Sequence, residues 1–222
     1  MTTIERKRIR PGILLALVLS SGISCAAQQS SAEAAIHARL RNECRRAARI
    51  IRTGRPAPRL TWAAERIPEC TDVGPAALGR RWRMIGGNAD DLEALTLATM
   101  RVRDGALFTD LLAVAEDGSR PPQVRVATML ALAKLTNPGL SIPLSFLTPP
   151  DTIRRIPMAL GSTTHASRGH GTVAMPPGYR LQILALLEQL TADRAGQPRE
   201  VWYAAGMLAK RVRADLADTP EP

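Results

Sequence analysis

An all-α protein is what this sequence predicts, and three observations predict it. Aromatic residues make up only 3% of the 222 positions, while alanine and leucine recur in every periodic segment, a bias that suits close-packed helices better than strands. Apolar residues return every three or four positions, the period of a helix face. Helix starts and stops are also legible, with Ser, Asn, Asp or Pro ahead of a periodic run and Gly or Asn-Pro-Gly behind it. At 45% hydrophobic and 23% charged residues, the chain can bury one substantial core.

Residues 1–27 read as a secretory signal peptide. Arg6, Lys7, Arg8 and Arg10 precede the apolar run 13–19, and small residues end it at Ser24-Cys25-Ala26-Ala27, with cleavage after Ala26 or Ala27. The run is shorter than the roughly 20 residues a permanent span takes. Cys25 offers a rival reading: Gly22-Ile23-Ser24-Cys25 resembles a lipoprotein processing site, although Gly22 stands where leucine is usual. Only lipidation of Cys25 would make the membrane a partner. Export to the periplasm or the cell exterior follows from either reading. If Cys25 is removed, Cys44 and Cys70 remain, an even pair that suggests a disulfide in an oxidising compartment. The bridge would contribute about 3 kcal/mol in the chain-entropy model. Two separate buried thiols are the alternative.

The first mature helix spans about 32–52, with Ser31 as its cap and Gly54 as its stop. Ile36, Leu40, Cys44, Ala47 and Ile51 form its apolar stripe. Arg41, Arg45, Arg49 and Arg52 share another face, the densest positive stripe in the chain; it either meets an anionic partner or is solvated, with stems covering apolar neighbours. A short helix over 60–67 contains Trp62. Helices over 75–85, 92–102, opened by Asn88 or Asp90, and 106–115, opened by Asp104, follow. The last two are expected to form an antiparallel pair. The next helix, 121–135, is capped by Ser119, stopped by Asn137-Pro138-Gly139 and given an apolar face by Val124, Ala127, Ala131 and Leu135. Val126, Leu130 and Ala133 widen that face, and a polar face is expected opposite. A short helix near 142–147 is its expected partner. Helices over 177–192, whose wide apolar face joins Ile183 and Leu186 to Leu181, Leu184, Leu187 and Leu190, and 198–217, with Val201, Ala204, Ala205, Leu208 and Val212, complete the array. Residues 218–222 fray.

Val124, Arg125, Ala131, Leu132 and Leu135 spell V-R-x-x-x-x-x-A-L-x-x-L, which resembles the first helix of a HEAT-type repeat. That resemblance implies a short right-handed α-solenoid of antiparallel helix pairs over 28–217. It implies a binding role and no chemistry. An offset of 76 lays Pro122 on Pro198, Leu132 on Leu208, Ala133 on Ala209 and Lys134 on Lys210, which equals two units of 38 and is close to the family's repeat of roughly 40. The pattern fails over 148–177, a long Pro- and Gly-containing insertion whose removal is expected to harm binding more than folding.

Within that insertion, Ser162 to Gly171 is the one stretch that looks like a chemical site, with His165, Ser167, Arg168 and His170 as its candidates. Two imidazoles fall short of the three or four ligands zinc takes, and neither serine sits in a strand-turn-helix elbow. No phosphate loop, dinucleotide fingerprint or H-E-x-x-H occurs. No catalytic residue, metal or cofactor is therefore assigned. The net charge of +10 falls to about +7 once residues 1–27, which carry four basic groups against Glu5, are set aside. That surplus allows anionic partners, but export and the lack of aromatic residues interleaved with the arginines argue against nucleic acid. The expected function is an exported interaction scaffold binding another protein or an envelope component. A small metal- or histidine-dependent hydrolase using residues 162–171, and a binder of anionic envelope material through the first-helix arginines, are the alternatives.

Overall fold

A computed structural model describes residues 11–55, 59–102, 104–137, 140 and 178–218. Among these residues the secondary structure is entirely helical: α1 (Pro11–Thr53), α2 (Leu60–Arg66), a 3-10 turn (Ile67–Glu69), α3 (Gly74–Met84), α4 (Ala89–Thr99), α5 (Gly105–Glu116), α6 (Pro122–Thr136), α7 (Gly178–Ala192) and α8 (Arg199–Asp218). None of these helices is long and apolar enough to cross a membrane. The expected partner helix near 142–147, the insertion 148–177 and the tail 219–222 lie outside the described residues.

The chain divides into two units, residues 1–43 and 44–222. The first holds the N-terminal part of α1, which begins inside the expected signal peptide and passes through Ser31, so that Ser31 lies within the helix and not at its start. Here Ile36 is 65% and Leu40 39% exposed, which corrects the upper half of the expected stripe. An apolar period makes a face suited to burial; it does not supply the surface that buries it.

The second unit contains one continuous core running from Cys44 to Val212. Cys44, Ala47 and Ile51 are buried as their spacing predicts. Gly54, at φ 65°, ends α1 in the left-handed conformation that an L side chain resists. Asn88 caps α4 by accepting from the Asp91 N–H (3.2 Å), and Asp104 caps α5 by accepting from the Leu107 N–H (2.9 Å). Ser119 is not the cap of α6. Its hydroxyl and N–H both donate to Asp117 (2.6 and 2.9 Å), and Pro121 occupies the capping position without a side-chain bond. Those two bonds, the hydroxyl's first, hold the Asp117 carboxyl below its usual range.

The packing corrects the expected pairing. α2 lies on α4, α4 on α6 and α6 on α8, while α3 lies on α5; chain neighbours pack together chiefly as α5 with α6 and α7 with α8. α4 and α5, read as a pair from their short connection, find their main partners elsewhere, since a short link fixes proximity of ends and not the meeting of faces. α6 touches α4, α5, α7 and α8. It is therefore buried on all sides over residues 124–133, and the polar face expected for it does not exist. Three arginines close the C-terminal ends of other helices, where carbonyls lack intrahelical partners. Arg120 donates to the carbonyls of Trp82 (3.0 Å) and Ile85 (2.8 Å), Arg125 to that of Ala115 (2.8 Å) and Arg180 to that of Thr136 (3.3 Å).

Candidate binding groove

α8 has two working faces. Val201, Ala204, Ala205, Leu208 and Val212 are buried, as the sequence predicts. Its other face, with the end of α7, forms an open groove of about 570 Å³. Trp202, Tyr203 and Met207 from α8 line it, all half-buried. Gly206 faces Thr191 of α7, and a Cβ there would meet the Thr191 methyl at 3.4 Å, the near edge of ordinary contact. The Thr191 hydroxyl is turned away onto the Leu187 carbonyl (2.6 Å). Ile183, Leu186, Leu187 and Leu190 of the expected apolar face of α7 are buried, but Leu181, at its edge, is 55% exposed.

The charges of the groove are unequal. The Arg194 guanidinium stands 5.0 Å from the Trp202 ring centre, a cation–π geometry, and the Trp202 and Tyr203 rings meet edge to face at 6.3 Å. Arg213 donates to Glu188, which consumes the groove's one carboxylate. Lys210 is exposed at the rim.

The turn between α7 and α8 is held from inside the core. Asp193 accepts from the Gly196 N–H (3.1 Å) and from the Gln197 amide (3.0 Å), and the Gln197 oxygen accepts from Arg125 (2.7 Å). Arg125 is 0% exposed. Burial pushes its guanidinium down from its ordinary value, with the charge of Asp117 acting the other way. Its Nη2 has no partner. Lys134, on the same helix, is also held below the usual lysine range by burial.

His165, Ser167, Arg168 and His170 lie outside the described residues. Arg41, Arg45, Arg49 and Arg52 are all exposed on α1, and Arg52 also donates to its own helix at the Ala48 carbonyl (3.3 Å). Their neighbour Arg46 stands over Trp62 at 5.4 Å. Cys44 and Cys70 lie at disulfide distance, with sulfurs 2.13 Å and Cα atoms 5.4 Å apart, and both residues are buried. A smaller notch of about 190 Å³ collects Asp72, Asp104 and Asp110. Asp104 is engaged in capping α5, and Asp110 is paired with Arg83. Among the described residues no group of three or more His, Cys, Asp or Glu could hold a metal ion.

The groove was missed by the sequence reading, although Trp202-Tyr203 beside Met207 and Arg213 was a signal for it, since tryptophan, tyrosine, methionine and arginine are enriched at interfaces. No protein-family model, no characterised protein and no solved structure matches the chain.

Proposed function

We propose that this chain is an exported helical-repeat scaffold of the cell envelope that binds another protein or envelope component through the α7/α8 groove. The observation that carries the reading is the groove's composition, an aromatic and methionine floor with a basic rim on the open side of a packed helix. The arrangement as a short right-handed solenoid of antiparallel pairs draws support from helices that pack on the next but one in sequence. Leu132 and Leu208, and Ala133 and Ala209, are buried at matching places on α6 and α8; because these helices lie against each other, they read as members of neighbouring units, so the offset of 76 fits one long unit rather than the two units of 38 expected from the sequence. Export is supported by the N-terminal pattern and by a cysteine pair at bonding distance.

A photo-crosslinking side chain at Tyr203, introduced in the organism that makes the protein, tests the scaffold reading. Expected are a covalent protein adduct at Tyr203, none at the exposed control Glu116, and a mature N-terminus just after Ala26 or Ala27. Absence of any adduct at Tyr203, or a retained cytoplasmic chain, refutes it. A second reading, binding of anionic envelope material through Arg41, Arg45, Arg49 and Arg52, is favoured by the exposure of all four. Charge reversal at Arg45 and Arg49 tests it through loss of binding to anionic vesicles.

A further inference from the structure

We infer that the α7/α8 groove receives an acidic amphipathic helix of a partner protein, laid along α8 as the next member of the row α2, α4, α6, α8; this rests on the scaffold reading above. Each helix in that row is packed against the one before it, and α8 ends the row among the described elements. Terminal units of helical stacks normally turn a polar face outward. α8 instead presents Trp202, Tyr203 and Met207. Its lining positions run from Trp202 to Arg213, about three helical turns or roughly 16 Å, enough for the i, i+4, i+7 anchor ladder of helix-in-groove recognition.

Charge selects the partner's chemistry. Arg194 and Lys210 border the apolar floor, while Arg213 and Glu188, the other charged lining residues, are paired with each other. A helix with an apolar stripe flanked by glutamate or aspartate complements this pattern, and one flanked by lysine or arginine is repelled. That argues against a second copy of this chain. The exposed apolar pair Ile36 and Leu40 is flanked by Glu33, Arg39, Arg41, Glu43 and Arg45, and with Arg39 paired to Glu43 the remaining balance is positive, the wrong sign for this rim.

The test uses the oxidised exported chain, isotopically labelled for NMR, and two 18-residue helix-forming peptides. Both carry the same leucine and phenylalanine ladder, one flanked by glutamate and the other by lysine. The acidic peptide is expected to bind roughly tenfold more tightly at low salt, the order that about two exposed ion pairs supply. The advantage should shrink as salt rises. Shifts should centre on the Trp202 indole and the Gly206 amide. Trp202→Ala is expected to weaken both peptides, and Arg194→Glu with Lys210→Glu to reverse the preference while leaving the helical circular dichroism unchanged. Equal binding of the two peptides, preference for the basic one or no binding overturns the proposal. So does concentration-dependent self-association blocked by Trp202→Ala, acidic-peptide binding that appears only after deletion of residues 148–177, or tighter binding of a single-stranded oligonucleotide at Trp202. If the peptides fail while Tyr203 still crosslinks to a protein in cells, the partner chemistry is wrong and the scaffold reading stands. If both fail, both fall.

Discussion

Replacing Arg125 tests the account of the core most directly, because this one side chain joins α5, α6 and the turn that shapes the groove. Arg125→Ala removes the bonds to Ala115 and Gln197, leaves the Ala115 carbonyl buried at the end of α5 without its partner, and opens a hole in a helix buried on all sides. An unsatisfied buried acceptor costs about 1–3 kcal/mol and truncation of a long core side chain about 2–5 kcal/mol. Against this stands relief from burying a cation whose Nη2 is unpartnered. A net loss of roughly 3–5 kcal/mol is expected for the alanine variant. Arg125→Met keeps most of the stem packing and removes the charge with its orphan donor, so it should cost only about 1–2 kcal/mol. Urea unfolding of the oxidised protein followed by circular dichroism measures both. An alanine variant within about 1 kcal/mol of the parent, or a methionine variant as damaged as the alanine one, refutes the reasoning.

Three further outcomes are expected. Thiol titration of denatured, unreduced protein recovered from an oxidising compartment should find neither Cys44 nor Cys70 free, and reduction should lower stability by about 3 kcal/mol; two titratable thiols would sink the bridge. Gly54→Ala should cost roughly 2–3 kcal/mol, since the residue has φ 65° and a Cβ there overlaps the Arg81 guanidinium, which pairs with Asp91 at 2.5 Å. Part of that loss should vanish in an Arg81→Ala background, and full additivity would show that the overlap is relieved without cost. Lys134→Met should flatten the dependence of stability on alkaline pH. Burial holds the folded value below the ordinary one near 10.4, so between the two the unfolded chain binds more protons and stability rises with pH. Below that window the cost of the buried charge is fully present, and the variant should therefore be as stable as the parent at pH 7 or more so.

The boundaries of most helices were legible because caps and stops are local chemistry. Asn88, Asp104 and Gly54 act within three or four residues of their own positions, and each does what its residue type suggests. Ser119 shows where local reading fails. Its hydroxyl donates to the carboxylate of Asp117 two residues back, and Pro121 takes the capping position. The pairing of helices was less legible, because apolar faces such as those of α4 and α5 state that burial is needed and not which surface supplies it. The same ambiguity let Ile36, Leu40 and Leu181 count as core by spacing.

Arginine was the residue type least readable from sequence. A chain with arginine in almost every helix invites an explanation in composition alone, and for the exposed Arg45 and Arg49 nothing in the packing adds to it. Arg120, Arg125 and Arg180 have specific work: each reaches across tens of residues, or ten in the case of Arg125, to carbonyls at the end of another helix. Alanine-rich helices pack closely and leave few hydroxyl or amide side chains near their ends, so the long guanidinium is the donor that can reach. Arg125 extends this from stability toward function. Its second bond fixes Gln197, Gln197 donates to Asp193, and Asp193 holds the turn bearing Arg194, whose guanidinium covers Trp202. A basic residue that looked like one letter of a repeat pattern thus sets the position of one wall of the groove, through three contacts that no spacing in the sequence encodes.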